Sequence, residues 1–260
     1  MMSKSGILGE PLWAHFTIIM SIKEIQVLSE VGAHFGYARA RRHPTAAPFL
    51  FGTKERSDIF DLDETSRRIE QARIFVASLA QTGRKVLFVG GKNEVISIVK
   101  DAAERIDAPY VAGRWIGGTL TNFNNISKRV ERLLKLSGER ERGELDKYTK
   151  KERLLIDREI ERLENRFGGL VSMKELPAAL FVVDTRHEIH AVREANQLGI
   201  PVIGLSSSDC DFSLIQHPIP ANDTSVRCVR LISTMVADAY AEGRRAPVST
   251  AAKVIRAPRS

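Results

Sequence analysis

Two unbroken apolar runs, PAALFVVDT (177–185) and PVIGLSS (201–207), stand on either side of EIHAVREANQLG (188–199), a segment of helical character closed by Gly199 and Pro201. A strand without polar alternation is buried on both faces. Two such strands joined by one helix are therefore neighbours in a parallel sheet covered by helices above and below. The same unit occurs upstream, where KVLFVG (85–90) leads to EVISIVKDAAERI (94–106) and then PYVAGRW (109–115). The alternation extends back to SDIFDLD (57–63), a short strand with acidic ends, and to the helix DETSRRIEQARIFVASLAQTG (63–83). That helix is expected to be capped by Asp63, striped by Ile69, the Arg73 stem, Val76 and Leu79 or Ala80, and stopped at Gly83. SIKEIQVLSE (21–30) is also helix-like. A last helix, DTSVRCVRLISTMVADAYAEG (223–243), places Val226, Val229, Ile232, Met235 or Val236 and Ala239 on one side.

The regular pattern breaks between Asn124 and Phe167. There Ile126, Val130 and Leu133 recur at helical steps, as do Ile156, Ile160, Leu163 and Phe167, and nearly everything between them is charged. Gly138 and Gly143, within SGERERGELD, suit a reversal. This predicts two helices folded back as an antiparallel coiled-coil hairpin, with its near-balanced charges forming a solvated face. The expected organisation is an N-terminal extension (1–20) consistent with an initiation codon assigned too early, a body (21–123 and 168–243), the inserted hairpin (124–167) and a disordered basic tail (244–260). In that tail Arg244, Arg245, Lys253, Arg256 and Arg259 accompany Pro247 and Pro258.

Charge narrows the partner. A net +7 and a pI near 9.5 favour a polyanion, nucleic acid before anionic lipid. Cys210 and Cys228 have no CxxC or metal-finger spacing, which fits a reducing compartment. No apolar run approaches the ~20 residues that span a bilayer. The start has no signal-peptide architecture either, so a cytoplasmic location is expected.

The Gly90–Gly91 turn invites a nucleotide reading and fails it. The P-loop pattern needs glycine where Val86 stands and a hydroxyl where Asn93 stands. The dinucleotide pattern needs GxGxxG and an acid at the end of the next strand, which instead runs into Ala112-Gly113-Arg114. No cofactor is expected. The most enzyme-like stretch is Asp184 to His190, at a sheet's functional strand ends; Asp184 and His187 could centre a metal- or nucleotide-dependent α/β enzyme, with His34, His190 and Asp209 as further ligands. The plainer reading has Asp184 capping the following helix.

Two loops carry residues that packing does not require. Val31 to Glu55 gathers His34, Phe35, Gly36, Tyr37, Arg39, Arg41, Arg42 and His43; aromatic faces stack on bases and guanidinium groups fork onto phosphates. Gly113 to Arg129 gathers Arg114, Trp115, Gly117, Gly118, Thr121, Asn122, Asn125 and Lys128; glycines admit a close ribose-phosphate backbone, and Asn and Thr offer neutral hydrogen bonds. Phe35, Phe49 and Trp115 also suit packing against the body.

These motifs, GAHFGY, RWIGGTLTNF, FGGL followed by LPAALFVVDTRHE, EANQLGIPVIGL and HPIPAND, resemble in order the universal ribosomal protein S-two family of the small subunit, in its bacterial form, from about Ser21 to Gly243. The resemblance implies a flavodoxin-like parallel sheet of five strands with helices on both faces and a protruding helical hairpin. It implies a non-enzymatic constituent that binds small-subunit rRNA near the head–body junction, touches neighbouring ribosomal proteins and helps dock ribosomal protein S-one, with no membrane or small-molecule substrate. His34 and Gly36 match the family's HFG element. Tyr37 stands where His is usual, Arg186 where an acid is common, and SSDCDF replaces a loop usually written with Asn, Ser and Asp-Pro-Asp.

Overall fold

The structure, a computed structural model, describes residues 23–245. The expectations for residues 1–20 and for the tail beyond Arg245 lie outside the described residues. Residues 23–30 form α1. The body is a five-stranded sheet of β4 (Val86–Gly90), β5 (Tyr110–Ala112), β6 (Ala179–Val183), β7 (Val202–Ser206) and β8 (His217–Pro220), in the order β5-β4-β6-β7-β8 with every pair parallel. In strand sequence this is 2-1-3-4-5, the doubly wound order, and its switch point lies between β4 and β6.

Alternate residues of the central strands serve two cores. Val86, Phe88, Ala179, Phe181, Val183, Ile203 and Leu205 pack with α1, α2 (Leu62–Gln81), α3 (Ile96–Glu104) and α7 (Val226–Arg245). Leu87, Val89, Leu180, Val182 and Val202 face α6 (Ile189–Gln197), α4 (Phe123–Glu141) and α5 (Lys150–Phe167). Phe88 and Phe181 are fully buried, their ring centroids 5.2 Å apart and tilted. Helices therefore flank both faces, as the continuous apolar runs require.

Several boundaries differ from the sequence reading. The cap of α2 is Asp61, whose carboxylate accepts from the amides of Asp63 and Glu64; Asp63 sits in the first turn. Val226 begins α7 but is 43% exposed, while Val229, Ile232, Val236 and Ala239 are buried. Arg244 and Arg245, assigned to the tail, end that helix. The run SDIF is a strand, β3 (Ser57–Phe60), yet it belongs to a separate antiparallel sheet with β1 (Phe35–Ala38) and β2 (Leu50–Lys54). The fifth parallel strand is instead β8, whose Pro218 and Pro220 hide it from strand propensity; proline lacks the amide a central strand needs and is tolerated at this edge.

Helices α4 and α5 pack against one another through Ile126, Val130, Leu133 and Leu136 on one side and Ile160, Leu163 and Phe167 on the other, all buried. Thr149 and Glu152 form a reciprocal capping box at the start of α5. Gly138 falls inside α4. The reversal uses Gly143, whose φ of 72° is open to glycine at no steric cost.

Candidate nucleic-acid interface

At the switch point a cavity of about 710 Å³ lies between Gly91, Gly113, Trp115, His187 and His190, but its phosphate-facing amide is taken by the chain itself. The amide of Gly91, at the end of β4, donates to Glu188 Oε1 at 3.0 Å, and His187 Nδ1 lies 2.6 Å from the same oxygen. Glu188 is only 3% exposed; burial pushes its carboxyl above the ordinary range, against the pull of His187 and the Gly91 amide. A Cβ on Gly91 would lie 2.5 Å from that oxygen and 2.6 Å from the Gly113 carbonyl, so glycine is needed for close approach. An internal carboxylate occupies the amide that a phosphate would take in a nucleotide-binding turn.

Beside it, the Lys92 ammonium contacts Asp184 and lies 3.9 Å from Asp223 Oδ2. Asp184 has a left-handed backbone (φ 60°), and its Oδ1 accepts from the amides of Arg186 and His187; it closes the turn before α6 and is not the helix cap expected from the sequence, a position held by Glu188 without a side-chain bond. Oxygens of Asp184 and Asp223 and the Cys210 sulfur lie within 4.8 Å of one another. The group has the outline of a cation site, but burial pushes the Cys210 thiol up to about 12, away from the thiolate that binds metal, and Lys92 supplies a cation. The larger set suggested by the sequence is dispersed: His187 pairs with Glu188, and Asp209 with Arg41 and Arg186.

Asp223 is fully buried, and neither carboxylate oxygen has a hydrogen-bond partner. Burial and the nearby Asp184 push its pKa up to about 7, against Lys92. The folded chain then retains a proton that the unfolded chain has released, so stability falls as pH rises from 3.8 towards 7. Asp223→Asn is expected to flatten this dependence in denaturant titrations across that window; an unchanged slope would remove Asp223 as its source.

The loop from Gly113 to Asn125 is organised around Glu194 of α6. Its Oε1 accepts from Trp115 Nε1 at 3.1 Å and from the Gly118 amide at 2.8 Å; its Oε2 accepts from the amides of Leu120 and Thr121 and from the Thr121 hydroxyl. Burial pushes the Glu194 carboxyl up, but these donors together hold it below the usual range. Trp115 is buried in the core, whereas Arg114, Gly117, Thr121, Asn122, Asn125 and Lys128 are exposed and Gly118 half-buried. This loop thus combines an internally anchored side with an open polar side.

The other loop folds over the carboxyl end of β7. The Tyr37 amide donates to Ser208 Oγ at 3.0 Å and the His43 amide to the Ser208 carbonyl at 2.8 Å. His34 packs on Phe35, ring centroids 4.0 Å apart, with Nδ1 buried and unpartnered. Gly36 sits against Ser208 and Asp58. Arg41 lies over the Tyr37 ring at 4.2 Å and shares Asp209 Oδ2 with Arg186, at 3.1 and 2.6 Å. Arg42 grips fully buried Asp58 through Nε at 2.8 Å and through Nη2. His43 Nδ1 meets Thr45 Oγ1 at 2.8 Å, and Arg39 is exposed.

Sequence reasoning overlooked the adjoining small sheet. Phe51 of β2 is 82% exposed, Phe35 of β1 49%, and Lys54, Arg56 and Arg39, on the same strands and their adjoining turns, are exposed too. The two-residue turn Glu55–Arg56 joins β2 to β3 with both φ values positive (50° and 68°). The run FGTKER is the signal that could have flagged this surface: a glycine-broken strand carrying an aromatic between apolar residues and a charged turn.

Fold and site together define a doubly wound α/β protein in which its own carboxylates take the Gly91 amide and the Lys92 ammonium at the switch point. The chain belongs to the ribosomal protein S2 family, whose model, described as "Ribosomal protein S2", matches residues 28–243. It is 43% identical over 230 residues to the small ribosomal subunit protein uS2 of Roseiflexus castenholzii, covering 88% of both chains. It is 43% identical over 226 residues to that of Syntrophobacter fumaroxidans (87% of this chain, 82% of the relative) and 40% over 225 residues to that of Coprothermobacter proteolyticus (86% and 84%). Membership makes it a non-enzymatic ribosomal protein and displaces the reading of Asp184 and His187 as an enzyme centre. Among the described residues no helix is long and apolar enough to cross a membrane.

Proposed function

We propose that the chain is a structural constituent of the small ribosomal subunit that binds 16S-type rRNA near the head–body junction. In this reading α4 and α5 are an antiparallel coiled-coil hairpin, neighbouring ribosomal proteins complete the contacts, and the bound chain helps recruit ribosomal protein S-one. The observation that carries the RNA contact is the exposure, on the small sheet and its loops, of Phe35 and Phe51 together with Arg39, Lys54 and Arg56. Aromatic faces there can stack on unpaired bases while the cations neutralise phosphates and release counterions. His34, Gly36, Tyr37, Arg42 and His43 shape this surface, and Arg114, Gly117, Thr121, Asn122, Asn125 and Lys128 extend contact from the second loop.

The test is sedimentation of the tagged chain from lysate through a salt-washed gradient. Migration with the small subunit is the expected result; migration as free protein would overturn the reading. Arg39→Ala with Arg56→Ala should weaken rRNA binding and reduce the slope of log K against log salt by roughly one for each phosphate no longer neutralised. A slope identical to that of the parent would exclude both arginines from the interface.

A further inference from the structure

We propose that the cavity behind the Arg41 loop receives one unstacked guanine of an RNA strand; this deepens the RNA-binding reading and rests on it. The cavity has a volume of about 390 Å³, within the roughly 300–1,000 Å³ of small-ligand sites. Its lining joins two chemistries. Ile189 and Leu214 contribute apolar surface over the fully buried Val192, while Arg41, Arg186, Asp209 and Asp211 contribute polar groups.

Charge decides what kind of ligand suits it. Arg41 and Arg186 share Asp209, Arg42 is paired with Asp58, and Asp211 adds a further carboxylate. The arginines are thereby balanced, so the cavity is a poor sink for a phosphate and a good environment for a neutral, flat heterocycle with polar edges. The pairing leaves donors and an acceptor open. Each guanidinium has five N–H groups; Arg41 and Arg186 each commit one to Asp209 and keep side chains 54% and 55% exposed. Asp211 Oδ1 accepts from the Ser213 amide and hydroxyl and from the Thr45 hydroxyl, whereas its Oδ2 has no hydrogen bond among the described residues.

Guanine complements that set. Its adjacent N1–H and N2–H donors face a carboxylate, and its O6 and N7 acceptors face a guanidinium. Adenine lacks the paired donors and the O6 acceptor. Arg41 is stacked on Tyr37 through one face, leaving the other for a base. The ribose and phosphates would then lie outside, towards the exposed Arg39.

The experiment is equilibrium binding of the full chain to uridine heptamers carrying a single central G, A or C, with GMP as a separate arm, at one fixed salt concentration. The expected result is a preference for G of roughly tenfold, the size of one good bidentate contact. Asp211→Asn retains an oxygen for the capping bonds, so it should fold; it should abolish the preference, read as the ratio of G to A and C affinities, because the lost charge raises the affinity for every heptamer alike. Arg186→Ala, which leaves Asp209 paired with Arg41, should reduce it too. Equal affinity for the three heptamers, or a preference that survives both substitutions, would overturn the proposal. GMP binding as tightly as the G heptamer would overturn the RNA assignment in favour of a free nucleotide. Gradient sedimentation separates the levels: a chain that travels with the small subunit but shows no base preference loses the guanine site alone, and one that does neither loses the RNA reading with it.

Discussion

Arg42→Ala is expected to destabilise the chain by roughly 2–3 kcal/mol, because it strips a buried acceptor of its partner while Arg42 itself is a quarter exposed. Asp58 is fully buried in β3, and two guanidinium nitrogens of Arg42 supply its main hydrogen bonds; Thr53 Oγ1 adds one at 3.4 Å. Without Arg42 the buried carboxylate keeps only the long Thr53 bond. Arg42→Lys preserves charge but not the two-pronged geometry, and should lie between parent and Ala variant. Asp58→Asn added to Arg42→Ala removes the stranded charge and should recover part of the loss. Urea titration reads all four proteins; a deficit below about 1 kcal/mol for Arg42→Ala would show that water reaches Asp58. A fall in RNA binding on mutating Arg42 therefore reports the loop's structure before it reports a phosphate contact.

The second large effect is expected at Glu194. Replacement by Ala strands the buried Trp115 Nε1 and Leu120 amide together with the Gly118 and Thr121 donors, at a cost of roughly 3 kcal/mol or more. Glu194→Gln should be nearly as damaging. Both carboxylate oxygens are used as acceptors, and the amide would turn an NH2 group towards other donors. Because the folded carboxyl is held below the usual range, its stabilisation is present above pH 4.5 and is lost as pH falls through the lower folded value. The chain has two tryptophans, so a Trp13→Phe background isolates Trp115, whose emission should shift red in both variants. An unshifted spectrum with an unchanged denaturation midpoint would show that Glu194 does not organise the loop.

Local pattern reveals the architecture wherever burial is continuous. The runs at 86–90, 179–183 and 202–206 are apolar because both faces are covered, and no alternative assignment competes. It fails where burial and propensity disagree. β8 is hidden by its prolines, and SDIF reads as another strand in the alternation although Asp58 and Phe60 belong to a different sheet. At the candidate site, residue types are legible but partners are not. Glu188 lies 97 positions from the Gly91 amide that it takes, and Glu194 lies 76 from Gly118. No spacing rule links them, because the sheet brings them together only once it has formed. The glycine turn can be shown from sequence to fail two nucleotide templates; what fills it requires the fold.

The contacts that pin the arginine loop also set a schedule for protein synthesis. Tyr37 leans on Ser208, 171 residues later, and the Asn222 amide donates to the Ala33 carbonyl from a still later position. While the ribosome is still making the middle of this chain, the segment proposed to meet RNA has nothing to lean on, and holding such distant ends together without those contacts is entropically costly. The proposed recognition surface is completed only by residues that emerge late, so an abandoned or truncated polypeptide carries the basic residues without their arrangement. The topology works as a completion check: competence to enter a particle arrives with the finished chain.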